Sequence, residues 1–153
     1  MSDSAIQGAI QGAIQALSTF DEADVTLGDF RVLGSGSPPY AVILPGSFRG
    51  GRPGDWSQVQ FVWRHPVEVW ERFTGDDYSA LVTARENVVA QLQAYPTLGG
   101  LAGVSLSTVV EAGEPIFLYQ RGQTQDSLPA FVGSRLVVET VEEVLYDGSG
   151  EFA

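Results

Sequence analysis

The sequence predicts an α+β domain, with helices laid over a β-sheet. Three observations lead there. A long amphipathic stretch runs from Thr74 to Gly100, a narrow helical stripe opens the chain, and most remaining apolar runs alternate with a period of two. At 153 residues the length fits one domain, 1–153. A chain of this size buries roughly 68–70% of its unfolded surface, enough for a core without staples.

The central helix is expected over about 76–95. Tyr78, Leu81, Val82, Val88, Val89, Leu92 and Tyr95 fall close to the spacing of a single apolar face. Thr74, Asp76 or Asp77 can cap its first turn, and both acids suit the positive end of the helix dipole. Pro96 restricts Tyr95, and Gly99–Gly100 turn the chain away.

The first helix is expected over about 4–18. Residues 5–16 read AIQG-AIQG-AIQA, which sets Ile6, Ile10, Ile14 and Leu17 on one stripe, with Asp3 or Ser4 as cap. Gly8 and Gly12 each weaken an isolated helix by about 1 kcal/mol relative to Ala, so the helix needs docking. Close backbone approach at the glycines, across a subunit boundary, is one use. An ordinary packing helix is the preferred reading.

Val25–Leu33 is a strand candidate with a bend at Gly28, and Tyr40–Leu44 is another, separated by the turn cluster Gly34–Pro39. Together they suggest a hairpin. Ser47–Asp55 (SFRGGRPGD) reads as a loop. Arg49 and Arg52 form a local positive spot in a Gly/Pro frame. It is either a basic arm that orders on an acidic partner or a solvated hairpin tip.

Trp56–Arg64 alternates cleanly, with Val59, Phe61 and Trp63 against Gln58, Gln60 and Arg64. Val67–Trp70 resumes after His65–Pro66, and Pro66 implies a kink, a bulge or an edge position. Val104–Glu111 and Pro115–Gln120 are read as two strands joined by a turn at Ala112–Glu114. Phe131–Val144 follows, with Leu136, Val138 and Thr140 on one side and Val137, Glu139 and Val141 on the other. The polar loop Arg121–Pro129 and the tail Tyr146–Ala153 are candidate partner contacts or frayed ends.

Composition narrows the function classes. The formal charge is −11, from 19 acids against 8 bases, all Arg. That balance disfavours binding to nucleic acid, which needs a basic face. An acidic surface can still line a passage that DNA slides through without sticking, a use that leaves no signature distinct from ordinary solubility. Cys is absent and His65 is the single histidine, so no metal-ligand spacing or thiolate chemistry is written in the chain. No apolar run approaches a membrane span, and no basic n-region marks a signal peptide. The adjacent pairs Asp76–Asp77 and Glu142–Glu143 do not converge on one point. No catalytic residue, cofactor or metal is therefore expected.

The strand ending in Trp63–Arg64–His65–Pro66, the Asp76-Asp77-Tyr78 opening of a helix, and Tyr95–Gly100 (YPTLGG) before a valine-rich strand resemble the tail terminator proteins of long-tailed bacteriophages. These are also called tail-completion or head–tail joining proteins. The order helix, strands, helix, strands covers nearly the whole chain. The resemblance implies an antiparallel or mixed sheet covered by two helices. It implies a homo-oligomeric ring, usually a hexamer, in the virion tail or neck, assembled in the host cytoplasm. The ring caps the tail tube, stops its polymerisation and docks to the head connector, with DNA passing through the channel. Loops are where partner contact concentrates. The expected contact residues are Phe48, Arg49 and Arg52, then Arg121 and the loop to Asp126. A neck adaptor or tail-tube subunit is the alternative within the virion. A small-ligand binding module, with Trp56, Trp63, Trp70, Tyr78 and Tyr95 lining a pocket, is the alternative outside it.

Overall fold

The structure is a computed structural model that describes residues 3–28, 38–55, 58–75, 78–101, 103–119 and 129–145. Helix α1 spans Asp3–Gln15, followed by a short 3-10 turn at Glu22–Asp24. Strands β1 (Val25–Leu27), β2 (Tyr40–Ile43), β3 (Ser47–Asp55) and β4 (Gln58–Arg72) come next. Helix α2 (Ser79–Ala94), β5 (Val104–Leu118) and β6 (Phe131–Leu145) complete the order. The strands form one mixed sheet in the order β1-β2-β4-β6-β5, and β3 also pairs with β4. The α+β class is therefore the observed one.

The repeat explains α1. Ile6, Ile10 and Ile14 have no exposed surface. The same four-residue period puts three glutamines in a ladder: Gln7, Gln11 and Gln15 donate to the carbonyls of Ile43, Val25 and Glu22, at 3.5, 2.9 and 3.1 Å. Each Gln thus satisfies backbone at or before the β1–β2 edge that the isoleucines cover. Gly8 and Gly12 meet open space, so within the chain they permit no close approach. Within the chain the helix packs through its isoleucines.

Helix α2 buries Leu81, Ala84, Val88 and Leu92. This stripe is narrower than the predicted face: Val82 and Tyr95 are exposed, and Ala84 takes the inner place. Tyr78 is the N-cap residue and makes no side-chain capping bond. The expected caps Asp76 and Asp77 lie outside the described residues. The stop is as predicted, with Gly99 and Gly100 at φ 74° and 82°, and Leu98 is also left-handed at φ 51°. Leu98 is held there by burial in the core and by the bond from its amide to the Tyr95 carbonyl at 2.9 Å.

Both helices cover one sheet face. Their apolar stripes meet Val25, Ala41, Ile43, Val67, Val69, Val132, Leu136 and Val138. The opposite face carries a smaller cluster of Tyr40, Val42, Trp70 and Phe131. Trp70 lies over Gly133, its partner in the β4–β6 register, and a Cβ there would meet the indole at 2.5 Å.

Four expectations are corrected. β1 and β2 pair in parallel, so they are no hairpin. The stretch between Leu27 and Tyr40 has about the dozen residues a parallel crossover needs; its residues 29–37 lie outside the described set. Ser47–Asp55 is a strand paired with β4, where a loop was expected. Register shifts between Arg49 and Arg52 and between Pro53 and Asp55 absorb the glycines that argued for a loop, while Pro53 stays in register with Val59.

Third, the runs on either side of Pro66 form one strand. The Leu44 amide donates to the Pro66 carbonyl at 2.9 Å, so Pro66 turns its backbone polar side toward the Leu44–Gly46 break between β2 and β3. The missing N–H therefore costs nothing in the β4–β6 ladder. Fourth, Val104–Leu118 is one strand along β6. The bulge between Ala112 and Pro115 takes up Gly113 and Glu114, which were predicted to turn, and a second irregularity lies between Val109 and Glu111.

Candidate partner interface

β3, the first half of β4, the last half of β6 and the first half of β5 form one end of the sheet, where Trp63, Val104 and Val109 still pack against the core. Register sets Arg49, Val62, Val141 and Leu106 in one row across these four strands. The next row holds Ser47, Arg64, Glu139 and Thr108. Register with β4 and β6, whose Val67, Leu136 and Val138 meet the helices, puts these positions on the opposite face. Arg64 reaches the Glu111 carboxylate at 3.7 Å, and Gln60 donates to Glu143 at 3.2 Å.

On the helix side, Phe48 packs against Phe61 and Trp63 with ring centroids 5.2 and 4.8 Å apart. Trp63 in turn stacks on His65 at 6.1 Å. Phe48 remains 52% exposed although it belongs to this aromatic row. Of the expected contact residues, the structure therefore brings Phe48 and Arg49 onto adjacent positions of an outer strand, one on each face. Arg52, further along β3, stands in register with Gln60 of β4. Arg121 and Asp126 lie outside the described residues.

Among the described residues, the expected aromatic pocket does not assemble. Trp63 packs with the core under the helices, whereas Trp70 belongs to the cluster on the opposite face. Tyr78 packs on the core and Tyr95 is exposed. Trp56 lies outside the described residues. A shallow depression elsewhere is lined by Thr19, Pro39, Glu71, Ser79 and Thr83. Burial there pushes the Glu71 carboxyl above its ordinary value, opposed in part by the Arg72 amide and the Arg72 charge.

Two polar constellations escaped the sequence. Asp3 Oδ1 accepts from His65 Nε2 at 2.5 Å and from the Gly46 amide at 3.2 Å. Glu68, almost wholly buried, accepts from Arg135 Nε and Nη2 at 3.2 and 2.8 Å. Both join residues more than 40 positions apart, so no local pattern marks them. His65 is fully buried, and its Nε2 is taken by the Asp3 contact. Among the described residues no group of three or more His, Cys, Asp or Glu could hold a metal ion, and no helix is long and apolar enough to cross a membrane. Against known proteins, the chain matches no family model and no curated sequence.

Proposed function

We propose that this protein is a structural virion component that assembles into a closed ring, caps the phage tail tube and joins the tail to the head connector, with DNA passing through the channel. The observation that carries the reading is the open sheet. Among the described residues β3 pairs with β4 alone and β5 with β6 alone, so two long strands keep an unpaired side. Such edges invite pairing unless something covers them. Neighbours in a ring cover both edges of every copy, and head-to-tail contacts that close do so without making a fibre. The acidic chain supports a channel that DNA traverses without holding.

Two residue groups are assigned to partners in this reading. Phe48, Arg49 and Arg52 form the partner-facing strand, and the segment from Arg121 to Asp126 supplies a second contact. The role requires no reactive group. Native mass measurement and negative-stain images of the purified protein, alone and with tail tubes, test it. Closed rings that bind tube tips are expected. A sample that remains a single subunit and leaves the tips bare overturns the proposal, and long self-assembled cylinders would make it a tube subunit instead.

A further inference from the structure

We infer that copies of this chain join side by side through β3 of one and β5 of the next, an inference that rests on the ring reading and names its contact. The two outer strands carry opposite charge. β3 holds Arg49 and Arg52 with Asp55 as its one acid, while β5 holds Glu111 and Glu114 and no base. In a chain with 19 acids and 8 bases, two arginines on one sheet edge and an acid-only opposite edge form a self-complementary pair. Glu111 already stands within ion-pair distance of an exposed arginine, Arg64, of its own chain. Each edge also exposes an apolar side chain to bury, Phe48 on β3 and Val110 on β5.

The directions agree. β3 and β6 run against β4, and β5 runs against β6, so β5 is antiparallel to β3. Rotation about a ring axis that runs broadly along the strands keeps each strand's sense, so β5 meets its neighbour's β3 antiparallel, the arrangement with perpendicular backbone bonds. The stagger agrees as well. Arg49 shares a row with Val141 of β6, and Glu111 shares one with Val137. Four residues of strand are about 14 Å, and four strands are about 19 Å wide. Bringing Arg49 opposite Glu111 therefore tilts the strands by roughly 35° to the ring axis, a tilt that closed sheets adopt. The bulges along β5 and β3 discourage indiscriminate pairing, and the charges select the partner.

Paired charge reversal tests this. One variant carries Arg49→Glu with Arg52→Glu, and the other carries Glu111→Arg with Glu114→Arg. Each alone faces like charge at every contact, and its assembly by native mass is expected to weaken by about tenfold or more. An equimolar mixture restores complementary contacts in alternation and is expected to recover an even-numbered ring. Circular dichroism checks that each variant keeps its fold. Wild-type assembly, which needs no variant, is expected to weaken as salt rises. Rings formed by either folded variant alone at wild-type concentration, or an assembly indifferent to salt, overturn the β3–β5 contact and leave the ring reading standing. A monomeric wild type overturns the ring reading itself.

Discussion

His65 and Asp3 are joined side chain to side chain at 2.5 Å, although 62 positions separate them. The contact sits where β4 exchanges β3 for β2 as its neighbour, and it ties the first residue of α1 to the middle of the sheet. Gly46 completes it, because the Asp3 carboxylate also takes the Gly46 amide. A Cβ on Gly46 would lie 2.5–2.8 Å from three atoms of the His65 ring. Gly46→Ala is therefore expected to cost about 1–3 kcal/mol through overpacking. Asp3→Ala strands two donors and is expected to cost about 1–3 kcal/mol. Urea denaturation of both variants reads these losses, and wild-type midpoints would remove the contact from the stabilising set.

The glycines of the repeat should behave in the opposite way. Gly8 and Gly12 sit in a helix with open space where a Cβ would go. Gly8→Ala and Gly12→Ala are each expected to add about 0.5–1 kcal/mol. Ile10→Ala, from a residue with no exposed surface, is expected to remove about 2–5 kcal/mol. Thermal melts with native mass measured alongside separate two outcomes. A gain in stability with assembly intact agrees with a packing helix. A gain with assembly lost would assign the glycines to a subunit contact.

Trp70 and Gly133 form a third test. Three indole atoms lie within 2.5–2.9 Å of where a Gly133 Cβ would stand. Gly133→Ala should displace the indole and cost about 1–3 kcal/mol. A shift in tryptophan emission should accompany the loss. Because the two residues touch, Trp70→Leu combined with Gly133→Ala should cost less than the sum of the single changes.

The Glu68–Arg135 pair predicts an asymmetry. Glu68 is 2% exposed, while the Arg135 side chain is 53% exposed. Arg135→Ala leaves a buried carboxylate without its cation and is expected to cost about 1–3 kcal/mol. Arg135→Lys keeps the charge but loses the fork that delivers two bonds to one oxygen, and should recover only part of the loss. Chemical denaturation of the two variants compares them directly, and equal stability of Ala and Lys would mean the guanidinium contributes nothing here.

Glu71 gives the pH prediction. Burial raises its carboxyl pKa in the folded state. The folded protein then holds that proton to higher pH than the unfolded chain does. Its contribution to stability is greatest below the ordinary carboxylate value and is lost as pH rises through the raised one. Glu71→Gln removes this dependence. The variant should melt higher than wild type at neutral pH, and the advantage should vanish in acid. An advantage independent of pH would point to packing.

Periodicity along the chain carried the two helices, the alternation of β4 and β6 and the stop after Tyr95. These features depend on neighbours within a few residues, so AIQG repeats and a Pro/Gly boundary are enough to read them. Tertiary pairing decided the rest. SFRGGRPGD is extended because β4 offers it a ladder that tolerates two register shifts, and the turn residues of β5 became a bulge because β6 continues alongside them. The same holds for the parallel β1–β2 pair and for the contacts of Asp3 with His65 and Glu68 with Arg135. Hydrogen-bond partners and desolvation are supplied by residues far away in sequence, so a local reading sees the glycines and prolines but not the strand beside them. The opposite charges of the two edges were present in the sequence throughout. Only the strand order turned them into the two sides of one sheet.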